Sequence, residues 1–399
     1  MKRNFLSPLF KGRTHGLLQQ LTNRLKLSEN NFLIILAVII GVLGGLGNYL
    51  FRKTIELIHW AVVEQSLELF SISLEHWAPQ RLLVAFLPMI GGLLVIPLWV
   101  FFAKDLKGGF SGFLYRVNLK GAKLPFRPLF TRGFGAAVTL GTGGSAGQEG
   151  PIAMIGGAIG SQFGKWFKMS GDRLKVLVAC GAAAGVAATF NAPIAGVFFA
   201  TEIVLLSSFE LASFTSIVIS SGMATVVSRA LLGNISEVVA PPYFMNNPWE
   251  FPFYLLLGLL VGMLAAGFID LHFRIKDRIA ALKLPRLSKP VLGGLAVGVI
   301  GIALPQVFGN GYEFITEVLF GQHSWYLLAL LVLAKMVATS ITLGSGFPGG
   351  LFAPCLFLGA VAGGAYGQLL DVIFPDLGIY GGAYALVGMG AFLAAATHS

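Results

Sequence analysis

Long apolar runs, broken by glycine and proline rather than by charge, set the pattern of this chain. Phe32 to Leu50, Leu82 to Phe102, Phe253 to Ile269, Pro290 to Leu304 and Trp325 to Leu343 are the clearest. Each approaches or exceeds the roughly 18–20 residues a helix needs to cross a bilayer. The strict apolar/polar alternation of a transmembrane barrel strand is absent, so an outer-membrane barrel is excluded as a reading. The pattern predicts an all-α polytopic membrane protein, multi-pass in the inner or plasma membrane with the lipid bilayer as its solvent. Lys2, Arg3, Lys11, Arg13, Arg24 and Lys26 precede the first run. Basic residues at that place predict a cytoplasmic N-terminal arm over 1–30, in contact with lipid headgroups.

The interruptions themselves repeat. Compared with the stretch from Lys335 to Gly367, that from Arg132 to Gly164 keeps a constant offset without a gap. Arg132 meets Lys335, and Thr139-Leu140-Gly141 meets Thr342-Leu343-Gly344. Gly143, Gly147, Pro151, Gly156 and Gly160 meet Gly346, Gly350, Pro354, Gly359 and Gly363. A second block, Ala187-Ala188-Thr189 against Ala395-Ala396-Thr397, nearly keeps the offset. Common glycines and alanines matching by chance would not hold a basic residue, a Thr-Leu-Gly and a proline in register. The chain therefore reads as two membrane repeats, 31–232 and 250–399, joined by a loop over 233–249 that carries Pro241-Pro242 and Pro248. Repeats with matched Gly/Pro breaks in apolar segments point to a transport site where the repeats meet. Backbone can be left unpaired at membrane depth only against a cavity or a ligand.

The first break reads Gly144-Ser145-Ala146-Gly147-Gln148-Glu149-Gly150-Pro151, and an apolar helix follows it. Proline suits a first helical turn, and glycine lets the backbone approach a ligand. The amides around Gly147, Gln148 and Gly150 are then expected to be free donors at a positive helix end, which is an anion site. The second break, Gly346 to Pro354, presents the same arrangement from the other repeat. A third, Phe190-Asn191-Ala192-Pro193, starts another half-helix with Asn191 as the expected cap. Several positive ends at one depth favour an anion over a cation. Glu149 is a carboxylate inside a membrane segment and hence a functional candidate. Its side chain is expected to sit in the site as a tethered anion and to act as a gate; the bland alternative is a helix-capping carboxylate. Arg132 and Lys335, at matched positions, are expected either to add to the positive field or to snorkel from a helix end.

Composition agrees with the membrane reading. Of 399 residues 55% are hydrophobic and 12% charged, against about 25% charged in soluble domains. The net charge of +10 sits partly in the leading arm, so no nucleic-acid partner is expected. Cys180 and Cys355 lie in apolar surroundings, which implies no disulfide framework. No two of the six histidines stand at helical ligand spacing, so neither a metal nor any other cofactor is expected. Gly143-Gly144-Ser145-Ala146-Gly147 fits a G-x-S-x-G pattern, yet no strand precedes Ser145 and no histidine offers itself as a base. An enzyme is not expected. A transporter of larger carboxylates would need deep arginines for bidentate contacts, whereas these breaks carry glycine.

At this point the residues resemble the CLC family of chloride channels and proton/chloride exchangers, over about 31–399. Gly147-Gln148-Glu149-Gly150-Pro151 is similar to the family's G-(K/R)-E-G-P, and Gly350-Leu351-Phe352-Ala353-Pro354 to its G-x-F-x-P. Phe190-Asn191-Ala192-Pro193-Ile194-Ala195-Gly196 resembles a half-helix start of the family. The resemblance implies two inverted-topology repeats of broken, tilted helices, a homodimer, and one chloride pathway per subunit. It assigns the gate to Glu149 and central anion contacts to the amides of Leu351 and Phe352. The family's first anion motif falls on Lys107 to Ser111. Gly108 there replaces a serine, leaving backbone donors at Gly108 and Gly109. Gln148 replaces a basic residue, and Ile203 stands where exchangers carry a proton-relaying glutamate. Passive conduction is thus favoured over proton-coupled exchange. The resemblance also implies closing helices beyond Ser399, so a truncated or shortened form is expected. A non-transporting remnant is the reading of another class.

Overall fold

Broken helices in matched pairs organise the structure. A computed structural model describes residues 29–72, 79–106, 108–169, 171–206, 211–234, 236–243 and 248–398. Nearly all of the basic arm over 1–30, together with Lys107 and part of the 233–249 loop, lies outside the described residues. The first repeat comprises α1 (Glu29–His59), α2 (Gln65–Leu69), α3 (Phe86–Leu106), α4 (Gly109–Leu119) and α5 (Phe126–Gly141). It continues with α6 (Glu149–Trp166), α7 (Gly171–Phe190), α8 (Pro193–Phe198) and α9 (Leu211–Leu232). The second comprises α10 (Phe251–Ala281), α11 (Ser288–Ala303), α12 (Tyr312–Leu319), α13 (Trp325–Gly344), α14 (Phe352–Ile373) and α15 (Gly381–Thr397). Helices α3 to α7 find counterparts, in the same order, in α11 to α15.

The repeat is visible in the packing as well as in the order. Helix α6 meets α7 where a Cβ on Gly156 or Gly160 would strike the backbone carbonyls of Gly181 and Leu177. At the equivalent places, Gly359 and Gly363 of α14 approach the carbonyls of Gly388 and Tyr384 on α15. Glycine lets two helices touch backbone to backbone, which is how helices associate where lipid removes the hydrophobic drive. The Gly181 to Ala188 stretch is part of this seam and is fully buried apart from a trace at Val186 and Ala188.

Seven helical segments among the described residues are long and apolar enough to span a bilayer. Four contain runs predicted from the sequence. The other three, Gly171–Phe190, Ser213–Leu232 and Phe352–Ile373, have mean hydropathies of only 1.4–1.5 because small residues dilute them. The predicted run from Pro290 to Leu304 is instead the 16-residue helix α11. It ends before Pro305, as backbone sterics ahead of proline require. Helix α10 turns Leu255, Leu259 and Met263, four residues apart, outward at 72, 61 and 65% exposure, a stripe suited to lipid. Cys180 and Cys355 are both buried free thiols.

Candidate functional site

The site begins where α5 and α13 stop. Gly143 and Gly346, 203 residues apart, each leave their helix with positive φ, +87° and +107°, a conformation that glycine adopts without a Cβ penalty. The two segments that follow meet head-on. Gly147 N–H donates to the Gly350 carbonyl at 2.7 Å and Gly350 N–H to the Gly147 carbonyl at 2.9 Å, an isolated antiparallel bridge between the repeats. Further bonds lock the two breaks together. The Thr139 hydroxyl donates to the Pro348 carbonyl (2.7 Å), Trp99 Nε1 to the Gly346 carbonyl (3.0 Å), and Ser145 N–H to Thr342 Oγ1 (3.2 Å). Ser145 Oγ lies 2.9 Å from Thr339 Oγ1, so the serine of the G-x-S-x-G pattern joins the repeats. The result is that the N-termini of α6 and α14 are held facing one another.

Glu149 is the first residue of α6 and has no exposed surface. Its Oε2 accepts the Ala353 N–H, in the first turn of α14, at 3.1 Å. Its Oε1 accepts a hydrogen bond from the Tyr312 hydroxyl, at the start of α12. First-turn amides have no partner within their own helix, and there the dipole favours negative charge. Among the described residues no ion pair holds this carboxylate. The niche thus satisfies a buried negative group with oriented dipoles alone, the arrangement a small anion requires. It is bounded by Gly147: a Cβ there would lie 2.6 Å from Glu149 Oε2 and 2.9 Å from Ala353 N. Gly147→Ala is therefore expected to close the niche to the carboxylate and equally to any small anion in its place, weakening anion binding at least about tenfold, since it blocks a charge-assisted bond. Calorimetric titration with chloride, beside an unchanged elution profile, checks this.

Among the described residues neither matched cation bonds the Glu149 carboxylate. Lys335 is completely buried. Its Nζ donates to the carbonyls of Val307 (2.9 Å) and Gly309 (3.0 Å) and lies 4.7 Å from the centre of the Phe357 ring. Arg132 Nε donates to the Asp105 carbonyl at 2.7 Å and Nη1 to the Gly109 carbonyl at 2.9 Å. Lys335 does not snorkel. Each cation fastens the loop that leads into a short helix, α12 in one repeat and α4 in the other.

The remaining predicted residues surround this centre. Gly150 is buried and its missing Cβ would lie 3.7 Å from Gly350 Cα and 3.8 Å from Phe110 Cβ, which brings α4 against the niche. Gln148 is buried, at 7% exposure. Gly108 (φ +95°) is the N-cap of α4, and Gly109 (φ +49°) has open space where a Cβ would be. Leu351 stands at the N-cap of α14, partly exposed. Phe352 packs near Phe199 and Phe190, with ring centres 5.6 and 6.3 Å apart. Ile203 is half-buried against the cluster containing Phe113 and Val186, beside an exposed Glu202.

Two expectations need correction. The Gly147 amide is not a free anion donor, because the inter-repeat bridge uses it. Asn191 does not cap α8: it takes φ +55°, and Ala192 is the N-cap. The Asn191 side chain instead donates to Asn234 Oδ1 and accepts from Arg229 Nε. Ala353 and Tyr312 were missed. The constant offset held a signal for the latter. Gly108 and Gly311 are 203 residues apart, and both cap a short helix with positive φ. Tyr312 is therefore the counterpart of Gly109.

Inverted repeats whose broken helices bring opposed N-termini onto a buried acid belong to the membrane-transport class of folds. The chain is a member of the voltage gated chloride channel family, whose model matches residues 91–399. It is 33% identical over 374 residues to a putative chloride channel protein, ClcB-like, of Ralstonia nicotianae, covering 92% of this chain and 86% of the relative. Against an H(+)/Cl(-) exchange transporter ClcA of Vibrio parahaemolyticus it is 34% identical, covering 91% and 78%. Among solved structures, a slow cyanobacterial Cl-/H+ antiporter superposes with a TM-score of 0.79 at 26% identity, covering 92% of this chain and 86% of the other.

Proposed function

We propose that this chain carries chloride, or an anion as small, through the niche between α6 and α14, with Glu149 as the removable plug. The observation that carries the reading is the Glu149 carboxylate itself. It is fully buried, and it is bound by a helix-end amide of the opposite repeat and by a phenol rather than by a cation. A site that holds one anion by such donors accepts another when the tethered one swings away. The amides of Gln148, Gly150, Leu351 and Phe352 line the approach, and Gly108 and Gly109 open the α4 side. Burying a bare charge in lipid is costly, and aligned helix ends offset that cost where the anion crosses. The subunit sits in a plasma or inner membrane with its N-terminus in the cytoplasm, and two subunits pair.

Passive flow is the mode that Ile203 supports, because an aliphatic side chain there cannot relay a proton. Proton-coupled exchange is the second reading, favoured by the exchange and antiport activities named for the relatives and the structural neighbour. Chloride efflux from liposomes holding the purified chain, followed with a proton electrode, separates the two. Chloride flux without proton movement is expected. Uphill proton movement driven by chloride would establish exchange and remove the argument from Ile203. No flux from folded protein would sink the transport reading.

A further inference from the structure

The second repeat places a tyrosine where the first has a bare glycine, and that difference falls on the niche. We infer that the Tyr312 hydroxyl is a standing donor of the anion site, binding the transported anion as it now binds Glu149. This rests on the reading that the Glu149 carboxylate occupies an anion's place, and it adds a side-chain ligand to a site otherwise described by backbone amides.

Three observations carry it. First, Tyr312 is buried, at 5% exposure, and its hydroxyl bonds Glu149 Oε1 while Ala353 N–H bonds Oε2. The two donors thus straddle one carboxylate. Second, the phenol is fixed independently of Glu149. Its ring packs edge-on against Phe190, with centres 5.7 Å apart and planes at 71°. Its backbone follows Gly311, where a Cβ would press on the Phe357 ring and lie 3.6 Å from Lys335 Nζ. Lys335 in turn fastens the preceding loop through Val307 and Gly309. Third, the neighbouring rings of Phe190, Phe352 and Phe199 offer no competing donor of this strength.

A donor held this way does not leave when Glu149 rotates out. The hydroxyl would then be buried without an acceptor, which costs free energy unless an anion takes the carboxylate's place. A preorganised donor adds affinity because no ordering remains to be done on binding. The same donor also steadies the plug. In the wild-type protein, losing the hydroxyl weakens both competitors for the niche. In a protein without the carboxylate, only the anion is affected.

The test follows from that asymmetry, with calorimetric titration of chloride into the purified full chain in detergent. Glu149→Ala is compared with Glu149→Ala/Tyr312→Phe, and wild type with Tyr312→Phe. In the Glu149→Ala background, removing the hydroxyl is expected to weaken chloride binding about tenfold or more, the scale of a hydrogen bond to a charged group. In the wild-type background the change is expected to be under about threefold, because the two effects oppose each other. Phe190→Leu in the Glu149→Ala background disturbs the same ring contact while keeping the hydroxyl. It should cost clearly less than removing the hydroxyl, and an equal or larger loss would reassign the effect to packing and overturn the inference. Equal affinities for Glu149→Ala with and without the hydroxyl would overturn the inference and leave the proposed transport intact. If Glu149→Ala binds no chloride at all, both readings fall together.

Discussion

Chloride binds the Glu149→Ala protein at least about tenfold more tightly than wild type, if the carboxylate is the competitor its position makes it. A group tethered beside its own site acts at an effective concentration in the millimolar range or above. Here the tether is a single side chain on the first residue of α6, and both carboxylate oxygens are engaged. Alanine removes the competitor and leaves Ala353 N–H and the Tyr312 hydroxyl facing an emptied niche. Unsatisfied donors at depth favour whatever anion arrives. Glu149→Gln tests the charge separately from the shape: its amide fills the niche but binds more weakly, so chloride affinity falls between the other two. An affinity unchanged by either substitution would show that Glu149 is a structural cap, with the anion elsewhere.

The second large effect is expected on stability. Lys335→Met should lower the melting temperature in detergent by about 5 °C or more, read by intrinsic fluorescence on heating. The ammonium satisfies two carbonyls, those of Val307 and Gly309, from a position with no exposed surface. Removing it strands both acceptors, at about 1–3 kcal/mol each, and removes a cation from the face of Phe357. Methionine fills most of the volume, so the loss reports on hydrogen bonding more than on a cavity. The companion substitution Arg132→Met should cost less, since the Arg132 head is nearer solvent and its bond to Gly109 is exposed. An unshifted melting curve for Lys335→Met would mean the loop before α12 holds itself. If the curve shifts, chloride affinity in the Glu149→Ala background should fall as well, because that loop leads into Tyr312.

The two effects separate what each buried charge does. Matched position in the repeat made Arg132 and Lys335 look like a shared source of positive potential. In the folded chain both donate to backbone carbonyls beside the short helices α4 and α12, and the groups bonded to the Glu149 carboxylate are an amide of α14 and a phenol. That division has a physical rationale. A full cation beside the anion would bind it too firmly for release, whereas partial charges of amides hold it and let it go.

Much of this was legible in the chain before any coordinates. Lipid forbids unpaired backbone except at a cavity or a ligand, so glycine and proline inside apolar runs had to mark functional breaks. The one-register match of Arg132 through Gly160 with Lys335 through Gly363 fixed the duplication, and a lone acid in a break singled out Glu149. Those inferences depend on local chemistry and spacing, which a sequence carries in full. The bond partners were decided by the tertiary structure. Which amide the carboxylate meets depends on how two helix ends are offset across the bridge from Gly147 to Gly350, and that offset placed Ala353 there. Tyr312 reaches the niche because α12 packs against α14 and α15, a long-range packing result. Asn191 lost its expected cap because Arg229 and Asn234, about 40 residues away, claimed its side chain. The sequence determined that an anion-sized, glycine-lined break with one carboxylate exists in a duplicated membrane fold. Only the meeting of the two repeats decided which donors face it, because those donors come from residues about 160 to 200 positions apart.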